Sequence, residues 1–293
     1  MSSQRTTNGS TGKSSDVERL AELIDGCDSL VVGAGAGLST SAGFQYSGER
    51  FRESFADFED RFGFHDMYSG SFYDFPDSET AWAYMSRMIK INRYDDIPGT
   101  VYSDLLALVK DRDYFVITTN VDHCFQRTGF DKDRLFYTQG DYGLFQCSVP
   151  CSNKTYDNEN TVKRMISDQQ GMRIPSDLVP HCPNCGKEMT MNLRKDDKFV
   201  QDLGWYKAND RYEQFVFDHR HSRTLFLELG VGFNTPAIIK YPFWGFVNEN
   251  PNAYYAIVNL GQAYIPSDIA DRSLALDADI SSVISELRKI LNC

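Results

Sequence analysis

The chain has 293 residues, a formal net charge of -11 at pH 7 and a pI near 4.9. That acidic balance excludes the clustered Lys and Arg that nucleic acid or an anionic membrane surface demands. No run approaches the roughly 18 apolar residues of a membrane span, and the polar start MSSQRTTNGSTGKSSD lacks the apolar segment of a secretory signal, so the expected compartment is cytoplasmic.

Residues 1–15, rich in Ser, Thr, Asn and Gly without apolar periodicity, are expected to form a flexible tail. From Val17 the spacing in VERLAELIDGC predicts a helix with a glycine stop, and SLVVGAGAG predicts a buried strand running into a glycine loop. Apolar runs at 114–119 (YFVITT), 223–229 (RTLFLEL) and 254–260 (YYAIVNL) predict three more buried strands separated by helical stretches. Such strands imply an α/β fold with a parallel, doubly wound, Rossmann-like sheet, and DADISSVISELRKILNC supplies a capped, amphipathic closing helix. Two stretches stand apart from this pattern. An aromatic-rich helical insertion spans 44–95, and a polar segment bounded by cysteine pairs spans 147–189; together they form a small inserted domain. The large domain then comprises 16–43, 96–146 and 190–293.

Gly33, Gly35 and Gly37 follow the first strand and precede a Ser-rich helix start, so their backbone N–H groups are placed for a pyrophosphate. Leu38 stands where a dinucleotide fingerprint has its third glycine, and no second strand with a terminal acid follows at the usual distance, which disfavours a plain dehydrogenase. The alternative is a tight turn that needs Gly only for its backbone. Asn120 and Asp122 fall just past YFVITT, at the carboxyl end of a parallel strand where open α/β sheets bind ligands; the alternative is an Asx turn capping the next helix. Gln139, Gly140 and Asp141 follow a further short strand-like run, LFYT.

Cys147 and Cys151, with Cys182 and Cys185 in CPNCG, have the spacing of a tetrahedral zinc site. Four thiolates leave no open position for water, so the metal is expected to be structural. Two unrelated reduced pairs are the alternative, and His181 is a competing ligand. Cys27, Cys124 and Cys293 read as core or tail thiols. His65, His219 and His221 read as surface or satisfied residues, and His123 as a substitute base beside the Asn120 motif. The stripe Phe51, Phe55, Phe58 and Phe62 reads as packing within the insertion. Arg194 reads as an anion contact or a surface ion pair.

In order, GAGLSTSAGF, TTNVDHCFQRTGF, TQGDYGLFQCSVPC and CPNCG resemble motifs of the sirtuin family, and the resemblance runs from Gly33 to the C-terminus. It implies NAD as co-substrate, bound by Gly33, Ala34, Gly35, Ala36, Ser39 and Gly43. GVGFN stands where the family has its GTS loop, which adds Gly230, Gly232 and Asn234; IVNL adds Asn259. Asn120 and Asp122 would sit at the nicotinamide ribose. Two departures carry information. The family's basic histidine is Gln139 here, and a carboxamide cannot accept a ribose proton near neutral pH, so deacylation is expected to be impaired. Cleavage of the nicotinamide–ribose bond passes through an oxocarbenium-like transition state that orientation and polar groups can support without that base. The family's PDFR segment is replaced by FQYSGERF, so Tyr46, Arg50 and Phe51 would cover the nicotinamide pocket instead.

This combination is similar to the macrodomain-linked class M sirtuins. The likeness implies protein ADP-ribosyl transfer with Asn120, Gln139 and Asp122 as the catalytic group. It further implies a lipoylated, glycine-cleavage-H-like carrier as acceptor and a macrodomain protein as partner. A weak deacylase or NAD glycohydrolase on the same scaffold is one alternative, and a non-enzymatic NAD or ADP-ribose sensor is another.

Overall fold

The computed structural model describes residues 11–293, with side chains from Ser15 onward. The chain opens with helix α1 (Thr11–Gly26), strand β1 (Ser29–Ala34) and the short helix α2 (Ala36–Ser41). Helices α3 (Glu49–Phe62), α4 (Met67–Ser71) and α5 (Ser78–Ile89) follow, and α5 runs on into a π-helical turn at Lys90–Tyr94. Next come α6 (Val101–Val109), β2 (Tyr114–Thr118), α7 (Cys124–Thr128) and β3 (Leu135–Tyr137). A second group holds β4 (Gly140–Cys147), β5 (Thr155–Asp157), α8 (Glu159–Asp168) and β6 (Met189–Leu193). The chain ends with α9 (Leu203–Asp218), β7 (Thr224–Leu229), α10 (Lys240–Glu249), β8 (Tyr254–Val258), β9 (Ser273–Leu276) and α11 (Ile280–Leu291).

Six parallel strands lie in the order β3-β2-β1-β7-β8-β9. The expected doubly wound, Rossmann-like sheet is therefore present. Its strands are apolar on both faces because helices cover both: Leu30 and Val32 of β1 face a core shared with α1, α6 and α11, while Val31 faces one shared with α9 and α10. From β1 the chain winds outward through β2 and β3, then returns to β7 on the other flank. That reversal opens a crevice at the carboxyl ends of β1 and β7, where such sheets place ligands.

The start of α1 corrects the tail expected over residues 1–15. Val17, Leu20, Ala21 and Ile24 are buried against α11 and β9, and this anchored helix extends upstream to Thr11. The remainder of that stretch, residues 1–10, lies outside the described residues. At the other end Asp279 caps α11 by accepting from Ser282 N at 2.9 Å.

The small unit packs α3, α5 and α8 against an antiparallel sheet of order β5-β4-β6. Residues 140–146 and 190–193, read with the large domain, pair in this sheet instead. The reason is side-chain placement: Tyr142, Phe145, Met189 and Met191 join Phe51, Phe55, Phe58 and Trp82 in a core separate from those of the large sheet.

Candidate active site

Two glycine loops meet at the crevice. A Cβ on Gly35 would lie 2.7 Å from Gly230 O, and one on Gly37 would lie 2.6 Å from Gly230 Cα, so neither position admits another residue without displacing backbone. Gly230 itself has φ of +64°, in the left-handed region. The contact consumes donors that the sequence had reserved for a pyrophosphate: Gly35 N donates to Leu229 O at 3.0 Å and Gly37 N to Gly230 O at 2.9 Å. Close approach of two loops thus accounts for these glycines. Gly33 serves packing too, since a Cβ there would meet Ile239 and Phe243. Ala34 is fully buried and its carbonyl accepts from Thr119 N and the Thr118 hydroxyl. Gly43, with φ of +99°, turns the chain beside Pro98. Asn259 ties the second loop by donating from Nδ2 to Val231 O at 3.1 Å. Gly232 and Asn234 lie on that loop.

Asn120 and Asp122 follow β2 at the floor of the crevice. Asn120 Nδ2 donates to Gly35 O at 2.9 Å and reaches the Tyr102 hydroxyl at 3.3 Å. Asp122 is buried, accepting from Ser39 Oγ at 2.5 Å and from Cys124 N at 3.0 Å. The second bond is the Asx turn offered as the alternative, and it coexists with the site. Asp122 therefore holds Ser39 and the start of the following helix. Burial pushes its carboxyl above the ordinary carboxylate range against the pull of these two donors.

Two adjoining cavities share Thr119 and Val121 as a common wall. The first is bounded by Ala36, Ser39, Tyr46, Asn120 and Asp122; the second by Gln139, Tyr142, Met88, Met191 and Arg194, with exposed Tyr68 and Phe72 at its rim. Gln139 is thus brought to the same crevice as Asn120, and Arg194 is joined to it through Arg194 N donating to Gln139 O at 3.0 Å. Tyr46 lines the first cavity and meets Tyr142 across the divide, hydroxyl to hydroxyl, at 3.0 Å. Arg50 and Phe51 are not brought there. Arg50 is tied to Asn92 Oδ1 at 2.9 Å and Ile91 O at 2.7 Å, while Phe51 is fully buried and stacks on Phe55 at 5.5 Å. Helical spacing on α3 turns Phe51 to the core, as the stripe of phenylalanines indicates. Tyr102 and Tyr142 escaped the sequence reading, because a single tyrosine in an apolar helix or strand carries no motif.

Behind this wall, His123 and Arg93 converge on Asp141. Arg93 Nε donates at 2.8 Å and Gly143 N at 2.7 Å, and the His123 ring pairs with the other carboxylate oxygen. His123 sits at φ of +65° on the step into α7. Committed to Asp141 in this way, it acts as a tie between three segments rather than as a base at Gln139.

The four cysteines Cys147, Cys151, Cys182 and Cys185 place their sulfurs within 4.8 Å of one another. A tetrahedral zinc with Zn–S bonds of about 2.3 Å needs sulfurs about 3.8 Å apart, so the donor set fits that ion. Cys182 N donates to Lys187 O at 2.7 Å and Gly186 N to Cys182 O at 2.8 Å, closing the CPNCG knuckle around it. His181 is held away, its Nδ1 on Val179 O at 2.7 Å. Among the described residues no helix is long and apolar enough to cross a membrane.

No family model matches the chain. It is 38% identical over 274 residues to a protein ADP-ribosyltransferase of Staphylococcus aureus, covering 93% of this chain and 87% of that protein. It is 28% identical over 286 residues to a probable bifunctional ADP-ribose hydrolase/ADP-ribosyltransferase of Fusarium oxysporum, of which it spans only 46%. Among solved structures it is similar to Sir2Tm bound to a propionylated peptide (18% identical, TM-score 0.58, covering 93% of this chain and 97% of that one). It is likewise similar to Sir2 with a p53 peptide and NAD (20% identical, TM-score 0.55, covering 93% and 97%). At such identities these structures speak for the fold, which is that of the sirtuins, and the family rests on the bacterial relative. The chain is a sirtuin-fold member of the family of the Staphylococcus aureus protein ADP-ribosyltransferase.

Proposed function

We propose that this chain transfers ADP-ribose from NAD to a protein acceptor and releases nicotinamide. The observation that carries the reading is the placement of Asn120 and Gln139 in adjoining cavities that share Thr119 and Val121, with glutamine and not an imidazole at position 139. In the reaction the bond between nicotinamide and C1′ of the ribose breaks, its electron pair leaving with nicotinamide, and the acceptor's nucleophile bonds to C1′. Asn120 and Gln139 hydrogen-bond ribose hydroxyls and hold the oxocarbenium-like state in line with the acceptor, which needs orientation more than a base. Asp122 acts behind Ser39. The loops carrying Gly35, Ala36, Gly230, Gly232, Asn234 and Asn259 shape the NAD side of the crevice, with Gly33, Ala34 and Gly43 setting their backbone. Zinc on the four cysteines joins 147–189 to the small domain begun by 44–95.

The acceptor in this reading is a lipoylated carrier protein. Supporting it, the second cavity has apolar walls in Met88, Val121, Met191 and Leu193, with Arg194 and Lys195 beside them, which suits a long apolar arm on a protein. A partner that hydrolyses ADP-ribose, the role a macrodomain protein would fill, is supported by the Fusarium relative, whose name couples hydrolase and transferase. Thiolate ligands suit a reducing, cytoplasmic compartment. The test incubates the chain with NAD and a carrier protein in lipoylated and unlipoylated forms, followed by intact-mass spectrometry. A gain of one ADP-ribose on the lipoylated form alone is expected. Intact NAD with unchanged carriers would turn the reading toward a nucleotide sensor.

A further inference from the structure

We propose that Tyr102 is a positioning residue that, together with Gly35 O, holds the Asn120 carboxamide with its oxygen facing the bound dinucleotide. The inference rests on the reading above only in taking NAD as the occupant of the crevice. Gly35 O can only accept, so the atom of Asn120 that meets it at 2.9 Å must be the amide nitrogen. The second amide hydrogen goes to the Tyr102 oxygen at 3.3 Å. Both donors are then spent on protein. Oδ1 takes no partner among the described residues, and Asn120 lines the open cavity.

Donor counting fixes the rest. Having accepted from Asn120, Tyr102 gives its one proton to Ser39 Oγ at 2.9 Å, and Ser39 gives its own to Asp122 Oδ2 at 2.5 Å. The Asp122 carboxylate ends the chain, also accepting from Cys124 N. In the reverse direction the Tyr102 proton, on a side chain 1% exposed, would have no acceptor, and an unsatisfied buried donor is costly. Phe125 meets the Tyr102 ring edge-on at 5.0 Å and fixes its plane. The relay thus offers the crevice an acceptor oxygen, suited to a ribose hydroxyl or a nucleophile's O–H, and withholds the amide hydrogens. The carboxylate that polarises it is Asp122, two residues from Asn120 in sequence but reached through Ser39 and Tyr102.

The test is Tyr102→Phe, which keeps the ring against Phe125 and deletes only the hydroxyl, combined with Asn120→Ala in a double-mutant cycle. Expected for Tyr102→Phe are a kcat for nicotinamide release down about tenfold or more, a KM for NAD within about threefold, and a melting midpoint within about 5 °C. In the Asn120→Ala background the same change should cost nothing further, which a merely structural tyrosine would not show. An unchanged kcat in Tyr102→Phe, or an equal loss with and without Asn120, would overturn the proposal. Should the wild-type chain leave NAD intact, the proposed function fails while this inference is still tested by calorimetry with ADP-ribose. Tyr102→Phe and Asn120→Ala must then weaken binding by one common factor, singly and together, and independent losses would refute it.

Discussion

Asp122 and Asp141 are both buried carboxylates at one cleft, and their surroundings push them in opposite directions. Around Asp122 burial dominates: its donors, Ser39 Oγ and Cys124 N, are neutral, and the carboxyl is raised, with the charge of Asp141 adding slightly. Asp141 suffers the same burial, yet the His123 hydrogen bond, the charges of His123 and Arg93 and the Gly143 N–H outweigh it and hold the carboxyl below its ordinary range. Asp141 therefore staples the loop after β2, the turn after α5 and the start of β4, and its charge is compensated. Asp122 has no cation against it, and its ionised form costs the fold some stability. A cost of that kind marks a group retained for the site and not for the fold.

The contrast can be broken from either side. The largest effect should come from removing metal, because β4 carries Asp141 at one end and Cys147 at the other. A strong chelator should strip hydrogen-exchange protection from β4 and β6 while β1, β2 and β7, with Asp122 at their edge, keep theirs; equal loss in both sheets would sink the distinction. Next, Asp141→Ala leaves the half-buried Arg93 without its carboxylate and should cost about 2–3 kcal/mol in urea unfolding at neutral pH. For the milder Asp141→Asn the sign with pH is fixed. A depressed carboxyl stabilises the fold above its unfolded pKa of about 3.9 and loses that contribution as pH falls through the lower folded value, so the deficit should close in acid. Asp122 runs the other way. Its raised pKa means that stability present below about pH 3.9 is lost as pH rises through the folded value, so Asp122→Asn should be as stable as wild type or slightly more so near pH 8. The same variant should release nicotinamide more slowly, since the Ser39–Tyr102 relay loses its terminal acceptor. A destabilised but fully active Asp122→Asn would show that the two aspartates are not different in kind.

The large sheet was legible because strands buried on both faces read as apolar runs, and SLVVGA, YFVIT, TLFLEL and YYAIV have little else they can be. The zinc cluster was legible for a similar reason: cysteine spacing constrains geometry directly. What escaped depended on partners distant in sequence. Nothing local in GAGAG reveals that Gly230 O will occupy the space beside Gly35, so donors counted as free were already bonded. Arg50 looked available until the turn after α5 supplied Asn92 and Ile91, and Phe51 belonged to its own helix stripe. Tyr102 is spelled like any core residue of α6, and its hydroxyl acquires meaning only when Ser39 and Asn120 arrive from two other loops.

One measurement reaches the central claim most directly. The chain is given NAD together with an acyl-lysine peptide and the lipoylated carrier, and the masses of both are read over time for wild type and Asn120→Ala. The account predicts that the carrier gains one ADP-ribose, that the peptide keeps its acyl group, and that Asn120→Ala strongly slows the gain. A peptide that loses its acyl group while the carrier stays unmodified would show that Gln139 supports deacylation after all and would contradict the account.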